Sequence, residues 1–279
     1  MNGKKICPIE KVEMLLVATD GSEFSKNAVR EALNLAKICS SKLIAISVVE
    51  TNPEFEAGVP QVIEKAEKDA REHLESIKSQ AAKEDVACET IVSLGEEPYQ
   101  EIVDHVSLKK VDMIIMGTHG RKGMKRLIMG SVAVKVIGHA PCNVLVLPLN
   151  AKFECKNILI GTDGSQYSKA AASEAIGIAK RCGSRLFVIS VAPSDVAMIS
   201  AQDNVKKVVD KAEMEGIETA SIVTKGEPYE AVVEAAKQKK ADLIVMGSHG
   251  RTGLKRLLMG SVTERVIGHS ESAVLVVKA

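Results

Sequence analysis

Two stretches of this chain, Gly117–His139 and Gly247–His269, are identical at 16 of 23 positions. A match of that length marks two homologous copies of one folding unit, and any fold must accommodate both. Two shorter repeats extend the correspondence. Met14-Leu-Leu-Val-Ala-Thr-Asp-Gly-Ser22 returns as Asn157-Ile-Leu-Ile-Gly-Thr-Asp-Gly-Ser165, and Glu97-Pro-Tyr99 returns as Glu227-Pro-Tyr229. The first pair is offset by 143 residues and the later ones by 130, so the second copy lacks 13 residues in between. The shortening falls about the charged stretch Gln61–Lys83, whose i,i+4 pairs such as Glu64–Lys68 and Glu67–Arg71 describe a solvated helix. With 279 residues, each copy has the length of an ordinary domain, ~100–150 residues. We expect domains at 1–149 and 150–279, held side by side by the short link Pro148–Lys156.

Within each copy, apolar β-type runs alternate with helical patterns. In the first, strands are expected near 13–19, 42–49, 86–93, 111–117 and 143–148, with helices near 25–39, 61–83, 97–109 and 131–139. In the second, strands are expected near 157–162, 185–191, 218–224, 241–246 and 273–278. Runs such as Met113-Ile-Ile-Met116 and Leu243-Ile-Val-Met246 are apolar throughout. Strands covered by helices on both faces have that pattern, so the fold class is α/β, with a doubly wound parallel sheet in each copy.

Composition removes several function classes. Lys plus Arg (37) balance Asp plus Glu (36), and aromatics are 3% with no Trp. Neither a basic nucleic-acid footprint nor a stacking platform for single strands is present, so no nucleic-acid partner is expected. No apolar run reaches ~18 residues, so no membrane partner is expected. Six cysteines lie scattered without a C-x-x-C pair, and the polar start Met1–Lys11 has no apolar signal core. These features point to a reduced, cytoplasmic protein. Cys39 and Cys182 occupy matching positions late in the first helix of each copy, where a buried apolar role is expected.

The chemistry gathers in one motif. After the fourth strand comes G-x-x-G, nine residues, then G-S: Gly117, Gly120, Gly130 and Ser131, repeated as Gly247, Gly250, Gly260 and Ser261. Gly130-Ser131 opens a helix, whose free N–H groups and positive dipole end suit a phosphate. Arg121, Lys122, Lys125 and Arg126 crowd the loop, as do Arg251, Lys255 and Arg256. Asp20 and Asp163 end the first strands, placed to accept from ribose hydroxyls beyond the carboxyl ends of the sheet. Each feature alone has a plainer reading: a helix cap, an Asp–Gly turn, a solvated cationic face. Their joint occurrence, twice, favours a phosphorylated ligand. Neither G-x-x-x-x-G-K-[ST] nor G-x-G-x-x-G occurs. His119 and His249 lack neighbours at metal-ligand spacing and are expected to pack the loop. Asp112 and Asp242 fall at the opposite sheet end and are expected to be structural. No nucleophile with an adjacent base is visible, so no catalytic residue and no metal ligand is assigned.

These residues resemble the ATP-binding branch of the universal stress protein family, once per half over nearly the whole chain. The resemblance implies a five-stranded parallel sheet per half and ATP or AMP, with Mg, as the ligand. It implies nucleoside contacts from Asp20 and Asp163 and backbone contacts to adenine from Val48 and Val191. Met116 and Met246 match the residue before the first motif glycine. Ribose and phosphate positions map to Gly117, Gly120, Gly130, Ser131 and Val132, and to Gly247, Gly250, Gly260, Ser261 and Val262. Arg121 and Arg251 join this set from the loop charge. Some relatives carry Pro where this chain has Ala18 and Gly161. Relatives dimerise through their fifth strands, which implies pairing of Val144–Leu147 with Val274–Val277 inside one chain and leaves a homodimer open. Three functions follow for comparison: a nucleotide-binding stress or signalling module, which we prefer, a slow ATPase or phosphotransferase, and a ligand-independent scaffold.

Overall fold

The computed structural model describes residues 6–52, 58–120, 129–250 and 259–279. The first half contains β1 (Met14–Ala18), α1 (Glu23–Cys39), β2 (Lys42–Glu50), α2 (Pro60–Lys83) and β3 (Cys88–Gly95). It continues with α3 (Pro98–Lys109), β4 (Met113–Gly117), α4 (Ser131–His139) and β5 (Asn143–Leu147). The second half contains β6 (Asn157–Gly161), α5 (Gln166–Cys182), β7 (Arg185–Ala192), a 3-10 turn at Asp195–Ala197 and α6 (Met198–Met214). After these come β8 (Thr219–Lys225), α7 (Pro228–Gln238), β9 (Leu243–Gly247), α8 (Ser261–His269) and β10 (Ala273–Val277).

The ten strands lie in the order β3-β2-β1-β4-β5-β10-β9-β6-β7-β8. Every pairing within a half is parallel. At the centre β5 and β10 run antiparallel, with Val146 opposite Val274, Leu145 opposite Leu275 and Val144 opposite Val276. The apolar strands have their physical reason in two cores. Leu15, Val17, Leu43 and Ile115 face a layer of α1, α2, α5 and α6, while Leu16, Ile44, Ile114 and Val146 face α3, α4, α7 and α8. A strand sandwiched in this way has no polar face to offer water.

Polar groups pin the amino end of the sheet and the link between halves. Asp112 accepts from the N–H groups of Glu13 (2.8 Å) and Met14 (2.9 Å), tying the entry of β4 to that of β1. Asp242 does the same for Lys156 (3.0 Å) and Asn157 (2.8 Å). The structural role expected of this pair therefore holds. The buried Asn27 amide donates to the carbonyls of Pro148 (2.6 Å) and Ala151 (2.7 Å), and Glu31 accepts from Phe153 N–H (3.2 Å). The link is thus bonded to the face of α1.

Helix α6 has 17 residues where α2 has 24, so the helix carries seven of the 13 missing residues. The cysteines depart from expectation. Cys39 is half-buried and disulfide-bonded to Cys7, with Cα atoms 4.7 Å apart. Its counterpart Cys182 is exposed. Neither is a buried apolar thiol, because the end of the first helix meets the segment entering β1 or β6 at the surface. Sequence spacing gives no hint of that meeting.

Asn27→Ala takes the side-chain donor from the buried Ala151 carbonyl and leaves the Pro148 carbonyl only the Ala151 N–H. We expect a loss of ~1–3 kcal/mol in unfolding free energy, read from the urea midpoint at unchanged m.

Candidate functional site

The turn after β1 is built by its own side chains. Asp20 Oδ1 accepts from Ser22 N–H at 3.0 Å, and Thr19 Oγ1 accepts from Gly21 N–H at 3.2 Å. Gly21 stands at φ 75°, a conformation that favours glycine. The second copy repeats the geometry: Asp163 Oδ1 accepts from Ser165 N–H at 2.9 Å, with Gly164 at φ 81°. The plain reading of Asp20 as a turn-former is therefore correct for one of its oxygens.

The second oxygen lies elsewhere. A Cβ placed on Gly120 would stand 2.9 Å from Asp20 Oδ2, and one on Gly250 would stand 3.0 Å from Asp163 Oδ2. The carboxylate is thus set against the loop that leaves β4 or β9. That loop is folded onto the helix that follows, since Gly130 N–H donates to Thr118 O at 2.9 Å and Gly260 N–H to Ser248 O at 2.9 Å. Gly120 and Gly130 become neighbours although nine residues separate them, and the same holds for Gly250 and Gly260. A carboxylate, a glycine backbone and a helix start converge at one end of the sheet in each half.

Neither α4 nor α8 has a side-chain cap hydrogen bond at Gly130 or Gly260. The first-turn N–H groups of Ser131–Ala133 and Ser261–Thr263 have no partner inside their helices, which leaves partial positive charge at the loop. Ser131 and Ser261 are exposed there, and Val132 and Val262 are half-buried. Val48 and Val191 are half-buried at the ends of β2 and β7. Ala18, the last residue of β1, pairs with Ile46, so Val48 and Asp20 each lie two residues past that pair, at the same end of the sheet. Met116 and Met246 are buried in the core layer under the site, so only their backbones border it. A Cβ on Gly161 would meet Met246 Sδ at 2.7 Å, which explains a small residue there. Arg121, Lys122, Lys125, Arg126, Arg251, Lys255 and Arg256 lie outside the described residues.

The histidines pack. His119 Nδ1 lies 2.9 Å from Thr118 Oγ1 with its ring 5.7 Å from that of Phe24. His249 Nδ1 lies 3.2 Å from Ser248 Oγ, its ring 4.9 Å from Tyr167. Among the described residues no group of three His, Cys, Asp or Glu side chains could hold a metal ion. The repeated Glu-Pro-Tyr motif also packs: Pro98 and Pro228 open α3 and α7, and Tyr99 and Tyr229 lie against His139 (4.9 Å) and His269 (5.2 Å).

Sequence reasoning missed the support behind the turn. Thr19 Oγ1 also meets Ser25 Oγ at 2.9 Å and His73 Nε2 at 3.0 Å, the last from the middle of α2. In the second copy the amide of Asn204, on the shorter α6, stands against Gly164 of the turn, close enough that a Cβ there would meet it. No local pattern marks either residue, because each reaches the turn only through helix packing.

A family model described as the universal stress protein family matches residues 12–148 and 154–278. A universal stress protein of Methanocaldococcus jannaschii is 42% identical over 139 residues, covering 44% of this chain and 82% of the relative. One of Mycolicibacterium smegmatis is 27% identical over 287 residues, covering 95% of this chain and 96% of its own length. The crystal structure of a universal stress protein from Archaeoglobus fulgidus superposes with a TM-score of 0.77 at 24% identity, covering 96% of this chain and 99% of that one, and shows the shared fold.

Gly117→Ala would set a Cβ 2.7 Å from the Phe24 carbonyl oxygen, a backbone atom that cannot step aside, whereas at Gly130 the nearest atom is 3.4 Å away. We expect Gly117→Ala to cost ~1–3 kcal/mol and Gly130→Ala well under half of that, compared by chemical denaturation.

Proposed function

Because the chain belongs to the universal stress protein family, we propose that each half binds one adenine nucleotide, ATP or AMP, and that the protein acts as a stress-response or signalling module. One observation carries the reading: in both halves a carboxylate oxygen lies against the middle glycine of the loop, beside a helix start without a side-chain cap. A nucleotide has the matching pair of ends, hydroxyls for the carboxylate and phosphates for the helix.

In this reading Asp20 and Asp163 accept from the ribose, and the Val48 and Val191 backbones meet the base. The backbones of Met116, Gly117, Gly120, Gly130, Ser131 and Val132 line the ribose and phosphates of the first site. Met246, Gly247, Gly250, Gly260, Ser261 and Val262 line those of the second. Arg121 and Arg251 neutralise phosphate charge. Each site offers a single carboxylate and a serine hydroxyl, so magnesium would arrive bound to the nucleotide's phosphates and keep most of its waters. The two sites belong to domains 1–149 and 150–279, which work as a pair joined through β5 and β10.

Calorimetric titration of the full chain with ATP and with AMP tests this. We expect two equivalents of nucleotide per chain. Asp20→Ala and Asp163→Ala should each weaken one site about tenfold or more, the usual cost of a lost hydrogen bond to a charged group. Failure of any adenine nucleotide to bind at high protein concentration overturns the proposal in favour of a scaffold. Phosphate release that disappears in the double variant would add turnover to binding.

A further inference from the structure

The second half carries a thiol pair at the sheet end opposite the nucleotide loops. Cys155 lies in the segment entering β6, and Cys182 is the last residue of α5. Cys155 and Cys182 lie close enough for each thiol to shift the other's pKa. Cys182 is exposed and Cys155 half-buried. The local frame is fixed, since Ser184 Oγ donates to the Cys155 carbonyl, as Ser41 Oγ does to Val12 O (2.5 Å) in the first half. At the matching place in that half the counterpart of Cys182, Cys39, is joined to Cys7. In both halves a cysteine at the end of the first helix stands near a cysteine of the segment entering that half's first strand.

We propose that Cys155 and Cys182 form a redox-active pair that closes a second disulfide by exchange with a low-molecular-weight disulfide. The roles divide by position and charge. Cys182 is the attacking thiol: its exposure admits a reagent, and its pKa is lowered by the neighbouring Cys155 thiol and by Arg181, against a smaller opposing effect of burial. Cys155 is the resolving thiol, held protonated by the Cys182 sulfur, by burial and by Asp242 and Glu154. The Cys182 thiolate attacks one sulfur of R–S–S–R, forming a mixed disulfide and expelling RS⁻, which takes up a proton. Cys155 then gives up its proton to solvent and attacks Cys182 Sγ, expelling the second RS⁻. Two protein thiols are oxidised by two electrons, and one small disulfide is reduced to two RSH. Cys88 and Cys142 have no such role: burial raises both thiols, Cys142 to about 11.

The test is to treat the reduced full chain with oxidised glutathione, quench with acid, and map peptides without reduction. We expect a Cys155–Cys182 linked peptide in the wild type and a glutathione adduct trapped on Cys182 in Cys155→Ser. Iodoacetamide should modify Cys182 about tenfold faster than Cys142. A persistent glutathione adduct on wild-type Cys182, or no reaction there, overturns the proposal. The wild-type map needs no variant, so a misfolded Cys155→Ser protein does not rescue the idea. The linked peptide should vanish with dithiothreitol.

Discussion

The central strands of this protein have no polar face, and most of its architecture follows from that constraint. Leu15, Leu16, Ile114, Ile115, Ile244 and Val245 are fully buried on alternating sides of one sheet. Each such side chain contributes ~1.5–3 kcal/mol only when helices cover both faces. Helices must therefore alternate with strands along the chain, and polar chemistry is confined to the two ends of the sheet. The carboxyl end holds Asp20, Asp163 and the glycine loops. The amino end holds the Asp112 and Asp242 ties and, in each half, a pair of cysteines.

The same constraint acts at the middle of the molecule. Strands β5 and β10 are apolar on both faces and stand at the edge of their own halves, where open N–H and C=O groups would invite association. Antiparallel pairing of Leu145 with Leu275 satisfies both edges at once and merges two five-stranded sheets into one. Lys278, just beyond β10, adds its ammonium to the carbonyls of Ile137 and Gly138 at the end of α4, and its N–H donates to Asn143 Oδ1 at 3.0 Å. Burial at this seam lowers the Lys278 pKa.

Duplication lets the two halves be compared as variants of one design. The turn, the carboxylate, the loop and the uncapped helix persist in both copies. What differs is the helix residue at the turn: His73 of a long α2 meets Thr19 in one, and Asn204 of a shorter α6 stands against Gly164 in the other. The cysteine pair also differs, drawn from Cys7 ahead of β1 but from Cys155 right before β6.

Much of this was legible in the residues. The unbroken apolar runs set the positions of the central strands to within a residue or two, because a strand buried on both faces tolerates nothing else. The repeats of Asp20-Gly21 and Gly120 through Ser131 located the polar end of the sheet, because tight turns and close backbone approaches restrict residue choice. Side-chain meetings across packed elements were not legible. His73 reaches Thr19, Asn27 holds the link, and Cys7 finds Cys39 only because helices dock at particular angles. The sequence alone determined where strands, turns and glycines must lie, since those depend on local conformation and burial. Tertiary structure decided which distant side chains share a contact, since that depends on how the layers pack.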